Sequence, residues 1–560
     1  MQAAKPGEDA RSGPAGTEPR PAVRAFHQIL LWPLQLLPLK EGSQINQHWE
    51  FLDQDPAHVW KPVDDEFSTD PEGFQERHYR EFVTFLPYVQ RLLYGEGAER
   101  RAMGSYGESS IKAYRRSDVA RARIVFPGSD MPVLFDVRHV DAYFFYDVDL
   151  VILVVEIAGA DLSLETVQNA LHCFGRAYPA GWTDTGDGLN CPRKVEWLDA
   201  EGHVLAASDY EDREHYLAQV CRERTPAIAA HWQYLLGPMT PHHIGVPETL
   251  RYRQLEYYRM PLMGYLALDH PERMTRGDYA KLAYAAGPGE PGALPFSGRY
   301  LEHFEARYCH DRYFDPARTG SGLHTRAICC DHAFIMTGDA RQAFFMDAER
   351  GALGEFRHQF FLLALIVHMH KAALLMLSDR MVQAVTRLDI TRSETVRRFR
   401  VESRSLLEIF LRFTHRYWFH DVSDHVHARD VFQAFVAQLG TERLYTEVRE
   451  ELQDMGHYLD SDLLRRQSMI FLRLTVVTIV GLIGTTATGF LGMNLIAAAD
   501  QPFGIKLLYF VVTTILCTVL TIYTLAKSQR IAEFLDTLTN ERLPLHAKAS
   551  ALLQIWGRKK

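Results

Sequence analysis

Proline divides this chain more sharply than any other residue. Of 26 prolines, 24 lie at or before Pro316, and the next is Pro502. One interior proline costs a helix about 3 kcal/mol, so the intervening stretch is free to run as long helices. Three are expected: Gly354–Ser378, Arg392–Trp418, and Asp430 through Leu491. The last has about 60 residues, near 90 Å at ~1.5 Å per residue. A helix of that length needs partners along its course, and copies of itself around a symmetry axis supply them.

That helix ends in an apolar run, Leu474–Leu491, preceded by Arg473. A second run, Leu507–Ala526, lies between Lys506 and Lys527. Each is long enough to cross a hydrocarbon layer of ~30 Å. Basic residues set the orientation. Arg465, Arg466 and Arg473 precede the first run, Lys527 and Arg530 follow the second, and the loop between offers only Lys506. Excess positive charge stays inside, so both termini are expected in the cytoplasm of a multi-pass protein of the inner (plasma) membrane. The segment Phe360–Leu377 is also apolar, but His368-Met369-His370-Lys371 interrupts it. A buried helix of the soluble part is the expectation there, because a basic side chain at mid-span costs roughly 2.5–3.5 kcal/mol.

Gly492-Met493-Asn494 closes the first run, and this placement resembles the CorA family of divalent-cation channels. In that family the same tripeptide sits between two C-terminal membrane helices. The resemblance covers roughly Arg429–Lys527 and is architectural before it. It implies an α/β cytoplasmic domain, a long helical stalk and two transmembrane helices, assembled as a funnel-shaped homopentamer. It also implies a pore lined by the first membrane helix, passing hydrated Mg²⁺, with Co²⁺ and Ni²⁺ as further candidates. The loop departs from the family's acidic turn, since Asn494–Lys506 holds Asp500 as its one acid.

Counting back from Asn494 in helical steps puts Gly489, Thr485, Leu482, Thr478, Leu474 and Phe471 on one face, the expected pore lining. Mg²⁺ keeps several of its waters, so a ring of Asn494 amides can hold the ion through its hydration shell without carboxylates. Phe471 and Leu474 would form an apolar constriction that gates by dewetting. The competing reading makes Thr478 and Thr485 helix-packing residues that bond back to their own carbonyls. Inward flow needs no nucleotide, because a divalent ion gains about 4.6 kcal/mol per 100 mV. Asp454, Asp460 and Asp462 on the stalk are candidates for a regulatory metal site between subunits, against a plain solvated face.

The remainder is read from composition and pattern. Net charge is −9 with 25 histidines and seven cysteines, among which no CxxC pair occurs. These give no argument for nucleic acid and fit a reducing compartment. No Walker loop, Ser/His/Asp or Cys/His arrangement marks an enzyme, and no cofactor is implied beyond the transported cation. Residues 1–23 are expected to be disordered and without a signal core, 24–340 to form the α/β domain, 341–468 the stalk, 469–526 the membrane pair and 527–560 a cytoplasmic tail. Ile29–Leu39 reads as a buried or edge strand broken by Pro33 and Pro38. Strands are also expected at Arg121–Phe126, Pro132–Val137, Ala142–Tyr146, Leu150–Ile157, Lys194–Leu198, His203–Ala206 and His324–Met336. Helices are expected at Ser163–Tyr178, Asp212–Leu235 and Arg276–Ala286.

His415, His420, His425 and His427 with Asp421 and Asp424 are a candidate transition-metal cluster. Asp421, Ser423 and Asp424 serve equally as helix caps. Cys309-His310 and Cys329-Cys330-Asp331-His332 lack zinc spacing and read as buried cysteine. Two alternatives stand beside Mg²⁺ transport: a carrier of Zn²⁺ or another transition metal, and a membrane-anchored sensor that does not conduct. Expected partners are the lipid bilayer, further copies of the chain and divalent cations.

Overall fold

The computed structural model describes residues 20–37, 47–53, 58–63, 76–95, 110–146, 148–244, 250–255, 258–288, 296–315, 324–389, 392–492, 501–516, 518–519 and 523. The chain divides into two units, Met1–Arg449 and Glu450–Lys560.

The first unit is built on one mixed sheet. Its strands are β1 (Ala22–Leu36), β2 (Trp60–Pro62), β3 (Ile111–Arg116), β4 (Arg121–Val125), β5 (Val133–Phe145), β6 (Leu150–Ser163) and β7 (Lys194–Leu198). There follow β8 (Val204–Ala207), β9 (Thr240–Pro241), β10 (Arg251–Gln254), β11 (Leu262–Leu268), β12 (Cys309–Phe314), β13 (His324–Cys330) and β14 (Ala333–Asp339). The main path runs β12-β13-β14-β11-β1-β6-β5-β4-β7-β8. Pairings are antiparallel except β11–β14 and β9–β10.

Strand periodicity sorts the two faces of β1. Phe26, Leu30, Trp32 and Leu34 join a core with Leu164, Val167 and Leu171 of the helix Leu164–Cys173. Trp32, Trp197 and Phe174 surround Trp232 at ring distances of 6.2, 5.7 and 5.4 Å. The buried indoles of Trp197 and Trp232 donate to the carbonyls of His231 and Arg176, which meets the polar need of large aromatic cores. On the other face His27 meets Glu156, which Arg357 also contacts, and the helix Phe361–Thr386 covers β1 and β6.

That helix is the apolar segment with the interrupting histidines. Among the described residues, one helix is long and apolar enough to cross a membrane, Ala352–Thr386, and 83% of its apolar window is buried inside the protein. His368 and His370 are 4% and 1% exposed, so it is a core helix. Burial pushes their imidazoles down to about 3 and about 4. The helix Ser393–Arg416 packs beside it, and Val426–Leu439 packs on it and on β13. Helices before residue 450 that were expected in a stalk thus belong to the first unit.

Several expected elements differ in extent. The long helix from Asp430 is interrupted at Gly440, whose φ of 63° is left-handed, and a new helix runs Thr441–Gly492. Gly440 ends Val426–Leu439 with its N–H on the Val436 carbonyl, a C-terminal cap that favours glycine. Asp212–Leu235 is two helices, Arg213–Glu223 and Ala230–Leu236, separated around Pro226. Pro132–Val137 and Ala142–Tyr146 fuse into β5, while His324–Met336 is the hairpin β13–β14, turning at Asp331 with φ 49°.

Pro33 lies inside a central strand, where a missing N–H would normally break a ladder. The ladder explains it. Leu31 N–H points to the Pro261 carbonyl beside β11, and Leu36 N–H points to Asp149 on the β6 side. By alternation the Pro33 nitrogen faces the first side, between the last β11 pairing at Leu30 and the first β10 pairing at Leu34. Among the described residues no strand stands there to be denied a bond.

Candidate ion pathway

The helix Thr441–Gly492 contains no proline, and its second half is apolar around most of its circumference. Ile470, Phe471, Leu474, Ile479, Leu482 and Ile483 are all exposed in the single chain, Phe471, Leu474 and Leu482 at 67%, 61% and 66%. A helix that is apolar on all sides is stable only within a larger core or in lipid. At ~100° per residue, Phe471, Leu474, Thr478, Leu482, Thr485 and Gly489 fall within an arc of about 80°. All six are exposed, and a Cβ added at Gly481, Gly489 or Gly492 would meet nothing within 4 Å.

The threonines along this helix share one geometry. Thr478 Oγ1 donates to the Leu474 carbonyl at 2.8 Å, and Thr485 Oγ1 donates to Gly481 at 2.9 Å. Thr475 and Thr488 bond back in the same way to Phe471 and Gly484. Each hydroxyl has used its proton on its own helix, so toward any other group it can only accept. Waters around a cation present their hydrogens outward, so an acceptor-only surface suits them. The back-bonded reading and the lining reading of these residues are therefore compatible.

Gly492 is the last residue of this helix, while Met493, Asn494 and the loop through Asp500 lie outside the described residues. A second apolar helix is described over Phe503–Leu516, with Leu507, Leu508, Phe510, Ile515 and Leu516 exposed. Asp454 and Asp460 are exposed on the upstream helix, about 120° apart at ~100° per residue, and do not share a stripe. The side chain of Asp462 lies outside the described ones.

In the first unit the histidine cluster disperses. His420 lies edge-on to Trp418 at 6.3 Å, whereas His427 packs on Phe360 at 5.2 Å and Tyr313 at 6.0 Å. Ser423 donates to the Thr84 carbonyl and accepts from the His425 N–H, while the Asp421 carbonyl accepts from Tyr88. Among the described residues the one group of three with metal-ligand proximity is Asp199, Glu201 and His203. It occupies the exposed β7–β8 turn, where Asp199 accepts from the His203 N–H at 2.7 Å, a bond that secures the turn.

The fold instead brings His427 to His310, residues that are far apart in sequence. They line a cleft of about 570 Å³ with Glu355, Asp430, Met336 and Phe344. Burial lowers both imidazoles and raises the Glu355 carboxyl. Glu355 ends the short helix Ala352–Glu355 and Asp430 lies on Val426–Leu439, and neither belongs to a motif in the sequence. Cys329 and Cys330 are buried, as the lack of zinc spacing suggested, and burial raises the Cys330 thiol to about 11.

A charged centre lies on the other side of β1. Glu156, 4% exposed, accepts from Arg357 Nε at 2.7 Å and Nη2 at 3.0 Å, and pairs with His27 Nδ1 at 2.9 Å. Burial pushes this carboxyl up, but His27 and Arg357 together outweigh it and hold it at about 2. Arg357 sits in a single π-helical turn, Phe356–Phe360, that leads into the covering helix. No family model, curated protein or solved structure matches the chain.

Proposed function

We propose that the chain is one subunit of a homo-oligomeric, pentameric membrane channel of the CorA type that passes hydrated divalent cations, Mg²⁺ foremost. The observation that carries this reading is the helix ending at Gly492, whose apolar residues lie exposed around most of its circumference immediately before Met493-Asn494. Lipid and symmetry mates are the surroundings that such a surface requires. The acceptor-only threonines at 478 and 485 suit a wet path for an ion that keeps its shell. The first unit stays in the cytoplasm with both termini, in accord with the basic residues flanking the two apolar runs.

A second reading, a membrane-anchored sensor without conduction, draws on the size of the first unit and its His310–His427 cleft. Flux separates the two. Full-length protein in liposomes is expected to pass Mg²⁺ down its gradient, with Co²⁺ and Ni²⁺ following and Zn²⁺ weakest. Absence of flux for all four ions under an imposed potential favours the sensor.

A further inference from the structure

Two arginines, Arg176 buried and Arg259 half-buried, lie side by side in the first unit without an acid between them. Arg176 follows the helix Leu164–Cys173 through Gly175, and Arg259 precedes β11. Their backbones pair directly as an isolated antiparallel bridge. Residues opposed in this way project side chains to the same side, with Cβ atoms about 4.5–5.5 Å apart. The place is beside the split in the sheet where β1 exchanges β11 for β10.

Arg176 is held firmly. Its carbonyl accepts from Tyr210 Oη and Trp232 Nε1 at 2.8 and 2.9 Å, its Nε donates to the His172 carbonyl at 3.0 Å, and its guanidinium lies 4.6 Å from the Tyr258 ring centre. The residue is 3% exposed, yet among the described residues its two terminal nitrogens have no acceptor. Arg259 gives its terminal nitrogens to the carbonyls of Tyr284 and Ala285, while its Nε is buried with no partner. Tyr258 Oη accepts from Asn190 at 2.7 Å, which leaves its own proton to give. Among the described residues no carboxylate forms an ion pair with either arginine. The acid that acts on Arg259 from further away, Asp331, is paired with His332. Burial, then the neighbouring positive charge, weakens the hold of Arg259 on its proton, to about 10.

Among the described residues, Arg176 Nη1 and Nη2 and Arg259 Nε therefore have no acceptor, and Tyr258 Oη keeps a proton to give. Two adjacent cations, one buried and one half-buried, are costly unless a counter-charge joins them. We propose that Arg176, Arg259 and Tyr258 form a binding site for a phosphate group. A phosphate dianion matches the double positive charge and offers several acceptor oxygens to planar guanidinium donors. The site is reached from the side of Asn190, which is exposed, past the half-buried Tyr258 and Arg259. Free phosphate and a phosphomonoester such as a nucleotide share this chemistry.

Isothermal titration of the full-length protein in detergent, with inorganic phosphate and separately with adenosine monophosphate, tests the site. One saturable site per chain is expected for at least one of them. Arg176→Gln is expected to weaken it roughly tenfold or more, the loss of charged hydrogen bonds, with Arg176→Lys intermediate. Binding of the monophosphate alone identifies the source as a phosphomonoester, and binding of inorganic phosphate identifies the free ion. Should Arg176→Gln lower the thermal midpoint, Tyr258→Phe decides, since it keeps the ring under Arg176 and removes one donor. Its affinity is expected to fall several-fold. Failure of both ligands to bind wild type at millimolar concentration, or equal binding by wild type and the folded variants, overturns the proposal.

Discussion

Thr478 gives its hydroxyl proton to the carbonyl of Leu474, 2.8 Å away on the same helix. About two turns further on, Thr485 does the same to Gly481. Both oxygens then face outward as acceptors, on the arc shared by Phe471, Leu482 and Gly489.

Replacing these threonines by valine keeps size and branching but removes the acceptors. Each of Thr478→Val and Thr485→Val is expected to lower Mg²⁺ flux about fivefold, from roughly 1 kcal/mol per lost hydrogen bond to the hydrated ion. Membrane insertion should be unchanged. Flux equal to wild type in the double variant would place the ion path on another face of the helix.

The buried histidines make the first unit sensitive to acid. His231 and His368 are held at about 3 and His370 at about 4, all by burial, against an ordinary value of 6.5. Their neutral forms are the folded ones, so the unfolded chain binds more protons below pH 6.5. Stability is therefore complete above pH 6.5 and falls as pH drops toward 4. Urea unfolding of the full chain, followed by tryptophan fluorescence, should show this slope. His368→Leu is expected to reduce it by about 1.4 kcal/mol per pH unit between pH 6 and 4. A slope unchanged by the substitution would mean that His368 is not buried in its neutral form.

Arg357 and Glu156 tie the covering helix to the sheet. Arg357→Met leaves the carboxylate buried with His27 as its remaining hydrogen-bond partner, and about 3–5 kcal/mol of stability should be lost. The double variant Arg357→Met, Glu156→Gln is expected to recover part of this, because no isolated charge remains. Unfolding midpoints of the two variants check the order, and a double variant less stable than the single one would contradict it.

Much of the fold was legible where local chemistry and tertiary packing agree. Lys194–Leu198 is a strand to the residue, and Ser163 caps the helix that follows it by accepting from the Thr166 N–H. Reading failed where an interruption carried little pattern. Gly440 sits between two stretches of the same helical period, and only its left-handed backbone separates them. Pro33 argued against a central strand, yet the gap between β10 and β11 accommodates it, a feature of strand order that no local window holds. The residues proposed to line a pore form one arc because they lie on one helix. Arg176 and Arg259, 83 positions apart, meet only through the split sheet, and so did His310 and His427 escape notice as neighbours in one cleft.

Asn494 stands at the centre of the account. Full-length wild type and Asn494→Ala, reconstituted at equal density in liposomes under an inside-negative potential, are to be compared for Mg²⁺ entry with an entrapped indicator dye. Wild type is expected to conduct, and the variant to insert and assemble equally but lose entry, because the amide ring is removed while the apolar helices remain. Equal Mg²⁺ entry in the two proteins, or none in wild type, would contradict the channel reading.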